Sequence, residues 1–153
     1  MGDAVNRKLS LLAALAAVLA ACQASPWGPL AVTDEDARMV LAARGGAGPL
    51  RIGMRCVTLL VEEVGREITL VWRSGQTSWD PGVRQVVFDD ATAGQIRLSD
   101  GDRIEVGGAG IAEPGDPDQG APQPKWLSAP DSSCPDELFA VHSVRRIGPQ
   151  QAP

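Results

Sequence analysis

One histidine, His142, together with scattered serines and carboxylates, supplies the acid–base and nucleophilic chemistry open to this 153-residue chain, which has no tyrosine. A hydrolase would need a hydroxyl or water beside that imidazole and a carboxylate to orient it. No Gly-x-Ser-x-Gly turn presents such a nucleophile. His142 falls instead in an alternation of Phe139, Val141 and Ser143 against Ala140, His142 and Val144, which places it on one face of a final strand. The run Asp116, Pro117, Asp118, Gln119, Gly120 spaces its carboxylates as a calcium loop does. Glycine takes the third acidic position, however, and no bidentate Glu follows at the right distance, so the run reads as a solvated acidic loop. Asp89 with Asp90, and Asp100 with Asp102, read as turn formers. Gly107, Gly108 and Gly110 precede a proline-broken stretch rather than a helix N-terminus, so they read as hinges at a strand end and not as a phosphate cradle. Of the four tryptophans, Trp72 reads as core. Trp79 and Trp126 lie in or near loops, where an indole can stack on a sugar or a partner or can lid the core.

The elements that would position these groups follow a different kind of segment. Arg7 and Lys8 precede an apolar stretch from Leu11 to Ala21 that ends in small residues, the order of parts in a secretory signal. As a helix at about 1.5 Å per residue, the stretch covers roughly half of a hydrocarbon core about 30 Å thick, too little for a membrane span. Leu19, Ala20, Ala21 and Cys22 resemble the lipobox of bacterial lipoproteins. The resemblance covers the first 22 residues. It implies that a diacylglycerol is attached to the Cys22 thiol, that residues 1–21 are removed, and that the freed amine is acylated, with palmitate among the chains. Two or more chains give stable attachment where one does not. The implied location is extracytoplasmic, lipid-anchored at the cell membrane or the outer membrane. Gln23 stands where Asp often marks retention at the inner membrane, which favours outward sorting in a host with two membranes.

With Cys22 assigned to lipid, Cys56 and Cys134 remain as a pair in an oxidising compartment, and the expectation is a disulfide. The bond would close a loop of 78 residues, and chain entropy puts its contribution at about 4 to 5 kcal/mol. The alternative is two buried free thiols. With those cysteines paired, a lone histidine cannot build a zinc site, and no cofactor motif is present. Cleavage leaves 132 residues and removes Asp3, Arg7 and Lys8, so 18 acidic and 12 basic side chains remain, a balance of −6. That surface argues against nucleic acid and, having no basic cluster, against electrostatic adhesion to anionic lipid.

Composition divides the chain into a signal peptide over 1–21, a lipidated tether over 22–32, a β-rich domain over 33–147 and a disordered tail over 148–153. Pro26, Gly28 and Pro29 suit a linker from Gln23 to Val32, with Trp27 near the membrane interface. Thr33 followed by Asp34, Glu35 and Asp36, with Arg44 and Gly45 beyond, suits a short helix from Asp34 to Ala43. Six strands are expected: Leu50–Val61, Glu67–Trp72 after a turn through Gly65, Arg84–Phe88, Gln95–Leu98, Arg103–Val106 and Leu138–Ile147. The fourth and fifth would form a hairpin through the Asp-Gly turn at Ser99–Asp102, and a Pro/Gly/Asp-rich loop over Glu113–Pro124 would precede the last. The fold class is mainly β, a small OB or SH3-like barrel, with a two-sheet sandwich as the rival. The disulfide would hold the last strand against the first. Leu70, Val71, Trp72 and Gly75, then Gly101, Asp102, Arg103 and Ile104 ahead of Gly107 and Gly108, are similar to a pattern in short exported proteins and lipoproteins of high-GC bacteria, except at Arg73, where that group often has proline. This similarity covers roughly Cys56 to Cys134 and implies no activity. The function expected is a lipid-anchored envelope protein with a binding or structural domain, its partner an envelope protein or a glycan. The alternative is a small envelope hydrolase using His142.

Overall fold

Alternating apolar and polar residues carry Val57–Val61 (β3) and Arg66–Arg73 (β4) into an antiparallel hairpin, turned at Gly65 with φ +64°, a backbone conformation that glycine adopts without strain. This computed structural model describes residues 25–34, 43–111 and 124–148, and all of its regular structure is strand. Ala43–Ile52 (β2) pairs antiparallel with β3, and Arg103–Gly110 (β8) returns antiparallel beside β2. The resulting order, fourth strand beside first, second and third, is a Greek key. Leu138–Arg146 (β10) then lies antiparallel to β8 and parallel to the middle of β4, Thr69–Val71, closing a five-stranded mixed barrel of the OB type. Closure removes the free strand edges that an open sheet would expose.

Two appendages complete the domain. The far half of β4 pairs in parallel with Ala31–Thr33 (β1), and β1 pairs with Trp126–Ser128 (β9), so the sheet peels away from the barrel at Val71. Thr77–Asp80 (β5), Gln85–Asp90 (β6) and Gly94–Leu98 (β7) form a separate antiparallel meander. Barrel and meander share one core, in which Leu50, Leu59, Leu70 and Ile104 meet Val86, Phe88 and Leu98. Trp72 and Phe88 join the two parts, their ring centroids 6.0 Å apart and tilted by 60°.

The mainly-β barrel agrees with the sequence reading, while several of its elements differ. The expected strand Leu50–Val61 is two strands, broken at Gly53–Cys56 where Gly53 N–H donates to Cys56 O at 2.9 Å. The expected linker ends early, because Leu30 and Val32 are buried in the core and β1 is a strand. The Asp-Gly turn is present, with Gly101 at φ +82°, but it makes no hairpin: β7 pairs with β6, and β8 with β2 and β10. Asp100 Oδ1 accepts the Ile52 N–H at 2.7 Å, Asp102 Oδ2 the Ser99 N–H at 2.8 Å, and Leu50 N–H donates to Asp102 O at 2.8 Å, so the turn is a corner fastened to β2. Gly107 and Gly108 lie inside β8 rather than at a hinge, while Gly110 ends the strand. The helix expected over Asp34–Ala43 falls almost wholly outside the described residues, with Ala43 opening β2. The acidic loop at Asp116–Gly120, Cys22 and the tail beyond Gly148 lie outside them as well.

Candidate functional site

The tryptophans proposed for binding stand on different sheets. Trp79 is in β5 opposite Val86 and packs, half-buried, against the core. Its indole lies over Gly28, where φ is +54° and a Cβ would fall 2.4 Å from Nε1, so glycine is required there on both counts. Trp27, on the same turn, also packs against the core. Trp79 is thus part of a strand and a lid, not a loop side chain. Trp126 is in β9 opposite Thr33, half-buried, beside Lys125, whose ammonium holds Asp34 at 2.9 Å, and beside the exposed Leu127.

His142 sits at a bulge. Val141 pairs with Gly108 and Ser143 with Gly107, which leaves His142 as the extra residue of β10. The bulge breaks the expected alternation: Phe139, Val141 and Val144 face the core, and His142 and Ser143 are exposed. Although the residue is exposed, the desolvation its neighbours impose on the ring, and secondly the Arg73 guanidinium, lower the imidazole pKa from its ordinary value. Among the described residues no carboxylate is hydrogen-bonded to His142, so the orienting partner that a general base needs is missing from this arrangement.

The third candidate is the loop that enters β10. Cys56 and Cys134 are joined in a disulfide, S–S 2.07 Å, Cα to Cα 5.7 Å. The bond ties the β2–β3 turn to this loop, and so does not staple the last strand to the first, since β10 pairs with β8 and β4. Thr69 Oγ1 donates to Pro135 O at 2.7 Å, and Thr58 Oγ1 to Glu67 Oε1 at 2.5 Å. Thr58 and Thr69 alternate with the core residues Leu59, Ile68 and Leu70, so they belong to the outer face of the barrel, yet both are buried. That outer face, with the loops at its end, is where OB barrels take ligands. Here part of it is covered by the chain itself. A cavity of about 310 Å³ remains in the loop, lined by Pro130, Asp131, Cys134, Pro135, Asp136 and Leu138. Asp131 accepts the Ser133 hydroxyl at 2.6 Å and the Ser133 N–H at 2.9 Å, with Arg55 3.8 Å away. These contacts, the hydroxyl first, hold its carboxyl below the usual range. The sequence reading misses this loop, although Pro130, Pro135 and the Asp131-Ser132-Ser133 run are turn formers that could have marked it.

Among the described residues no group of three or more histidine, cysteine or acidic side chains could hold a metal ion. No family model, no curated protein and no solved structure matches this chain.

Proposed function

We propose that this chain is a lipid-anchored protein of the bacterial cell envelope, acylated at Cys22, whose barrel is a binding or structural module. The observation that carries the reading is the cysteine arithmetic. Cys56 and Cys134 are consumed by one disulfide, the bond expected of an exported domain, and the third cysteine stands at the end of the Leu19-Ala20-Ala21-Cys22 tetrapeptide. The module reading is supported by His142 having no hydrogen-bonded acid among the described residues, the partner through which the hydrolase alternative would act. Trp126 is the aromatic side chain best placed to meet an envelope protein or a glycan, being half-buried on an outer strand beside exposed Leu127.

Cells fed labelled palmitate should label the wild-type protein and not Cys22→Ala, and equal labelling of the two refutes the anchor. Crosslinked envelopes then test the module. Trp126→Ala should weaken partner capture by about 1 to 3 kcal/mol with the fold intact, as an aromatic anchor does. Unchanged capture, with a hydrolytic activity lost in folded His142→Ala, refutes the module in favour of an enzyme.

A further inference from the structure

The domain begins almost at the lipidation point. Gly28 N–H donates to Ser25 O and Leu30 N–H to Trp27 O, each at 3.0 Å, and Leu30 is already core. Ser25 follows Cys22 by three residues, and three fully extended residues reach at most about 11 Å. The polar layer of a bilayer is itself roughly 5 to 7 Å deep on each side. An acylated Cys22 therefore keeps the Ser25–Gly28 turn within about 4 to 6 Å of the outer limit of the headgroups, close enough for that edge of the domain to rest on them. The side chains at that turn suit the position. Trp27 and Trp79 are each half-buried on the core, and the Trp79 indole touches Gly28. Indoles, amphipathic and rigid, favour the membrane–water interface. Asp80, which follows Trp79, is held by Arg97 at 3.0 Å, so its charge is balanced where phosphates would oppose it.

We infer that the edge of the domain formed by Ser25–Gly28 and Trp79 is seated on the phospholipid surface, with Trp27 and Trp79 at headgroup depth. This inference rests on the Cys22 anchor proposed above. It assigns the two indoles a lipid partner and leaves Trp126, which pairs with Thr33 at the end of β1 remote from the turn, outside that contact.

The test is tryptophan quenching by brominated phosphatidylcholine in vesicles carrying the mature protein purified from membranes. Trp27→Phe and Trp79→Phe should each remove a large share of the quenching, at least about twofold more than Trp126→Phe does, as interfacial indoles require. Trp72, sealed in the core, is the unquenched reference in every variant. If Trp79→Phe does not fold, the Trp27→Phe and Trp126→Phe proteins alone decide. Quenching that follows Trp126, or none from any tryptophan, overturns the seating. Mass spectrometry of the same protein keeps the two ideas apart. An unacylated Cys22 refutes the anchor, and the seating is then read with a thiol-reactive synthetic lipid on Cys22, the cysteine outside the disulfide.

Discussion

Two walls of the barrel are made of opposite materials. Between β3 and β4 the ladder sets Thr58 against Thr69, Leu59 against Ile68 and Leu60 against Glu67, so each rung carries side chains that pack or hydrogen-bond. Between β2 and β8 it sets Gly45 against Gly107, Gly46 against Val106 and Arg44 against Gly108. Glycine is a poor strand residue by propensity, and its value here is the missing Cβ. A Cβ on Gly48 would lie 1.9 Å from Leu60 O, and one on Gly108 would lie 1.8 Å from Ala140 O. The first wall is held by side chains. The glycines of the second let the strands that flank it, β3 at Leu60 and β10 at Ala140, approach where side chains would collide.

The difference can be broken most sharply at Gly108. Gly108→Ala should prevent the β8–β10 seam from closing and cost about 3 kcal/mol or more, at or beyond the upper end of overpacking effects. Urea denaturation followed by circular dichroism measures it, and an unchanged midpoint would end the distinction between the walls. On the other wall, Leu59→Ala removes a fully buried side chain and should cost about 2 to 5 kcal/mol by transfer and cavity terms, with the protein still folding. A loss of all structure in Leu59→Ala alongside a mild Gly108→Ala would reverse the roles. Opening the disulfide with Cys56→Ser and Cys134→Ser should cost about 2 to 5 kcal/mol, the chain-entropy contribution less whatever structure the opened chain retains, and, because the bond lies outside the ladders, leave the strand content in far-ultraviolet circular dichroism unchanged.

The smallest effect expected is at His142, on the bulge where β10 meets the glycine wall. Its folded pKa lies below the ordinary value near 6.5, so the unfolded chain binds the proton first as pH falls. Its contribution to stability is therefore present above that value and declines as pH drops below it. In the NMR titration of the folded protein the His142 midpoint should fall under about 6.5, and Arg73→Gln should move it upward. A midpoint above the ordinary value would mean that a carboxylate, rather than desolvation and Arg73, governs the imidazole.

Much of the side-chain wall is legible in the sequence, since Val57–Val61 and Glu67–Trp72 carry the apolar runs of strands and Gly65 marks the turn between them. The glycine wall is not. Gly45, Gly46 and Gly48, and Gly107 and Gly108, look like punctuation until the opposing carbonyls are known. Trp79 reads as a loop residue in the sequence because its strand is only four residues long and follows closely on a turn. The bulge at His142 left no mark, because nothing local requires an unpaired residue there.

By itself the sequence determined the mainly-β barrel, the strands of β4, β6 and β7, and the pairing of Cys56 with Cys134, because alternation, turn chemistry and cysteine number act locally or by simple count. The tertiary structure alone decided that the Asp-Gly turn is a corner, that Leu30–Thr33 belongs to the domain, and that the disulfide fastens a loop across the outer barrel face. Each of these depends on which distant backbone accepts a hydrogen bond: Asp102 O from Leu50, Arg73 and its neighbours in β4 alongside β1, and Pro135 O from Thr69. Such partners lie tens of residues away in the chain, where periodicity carries no information about them.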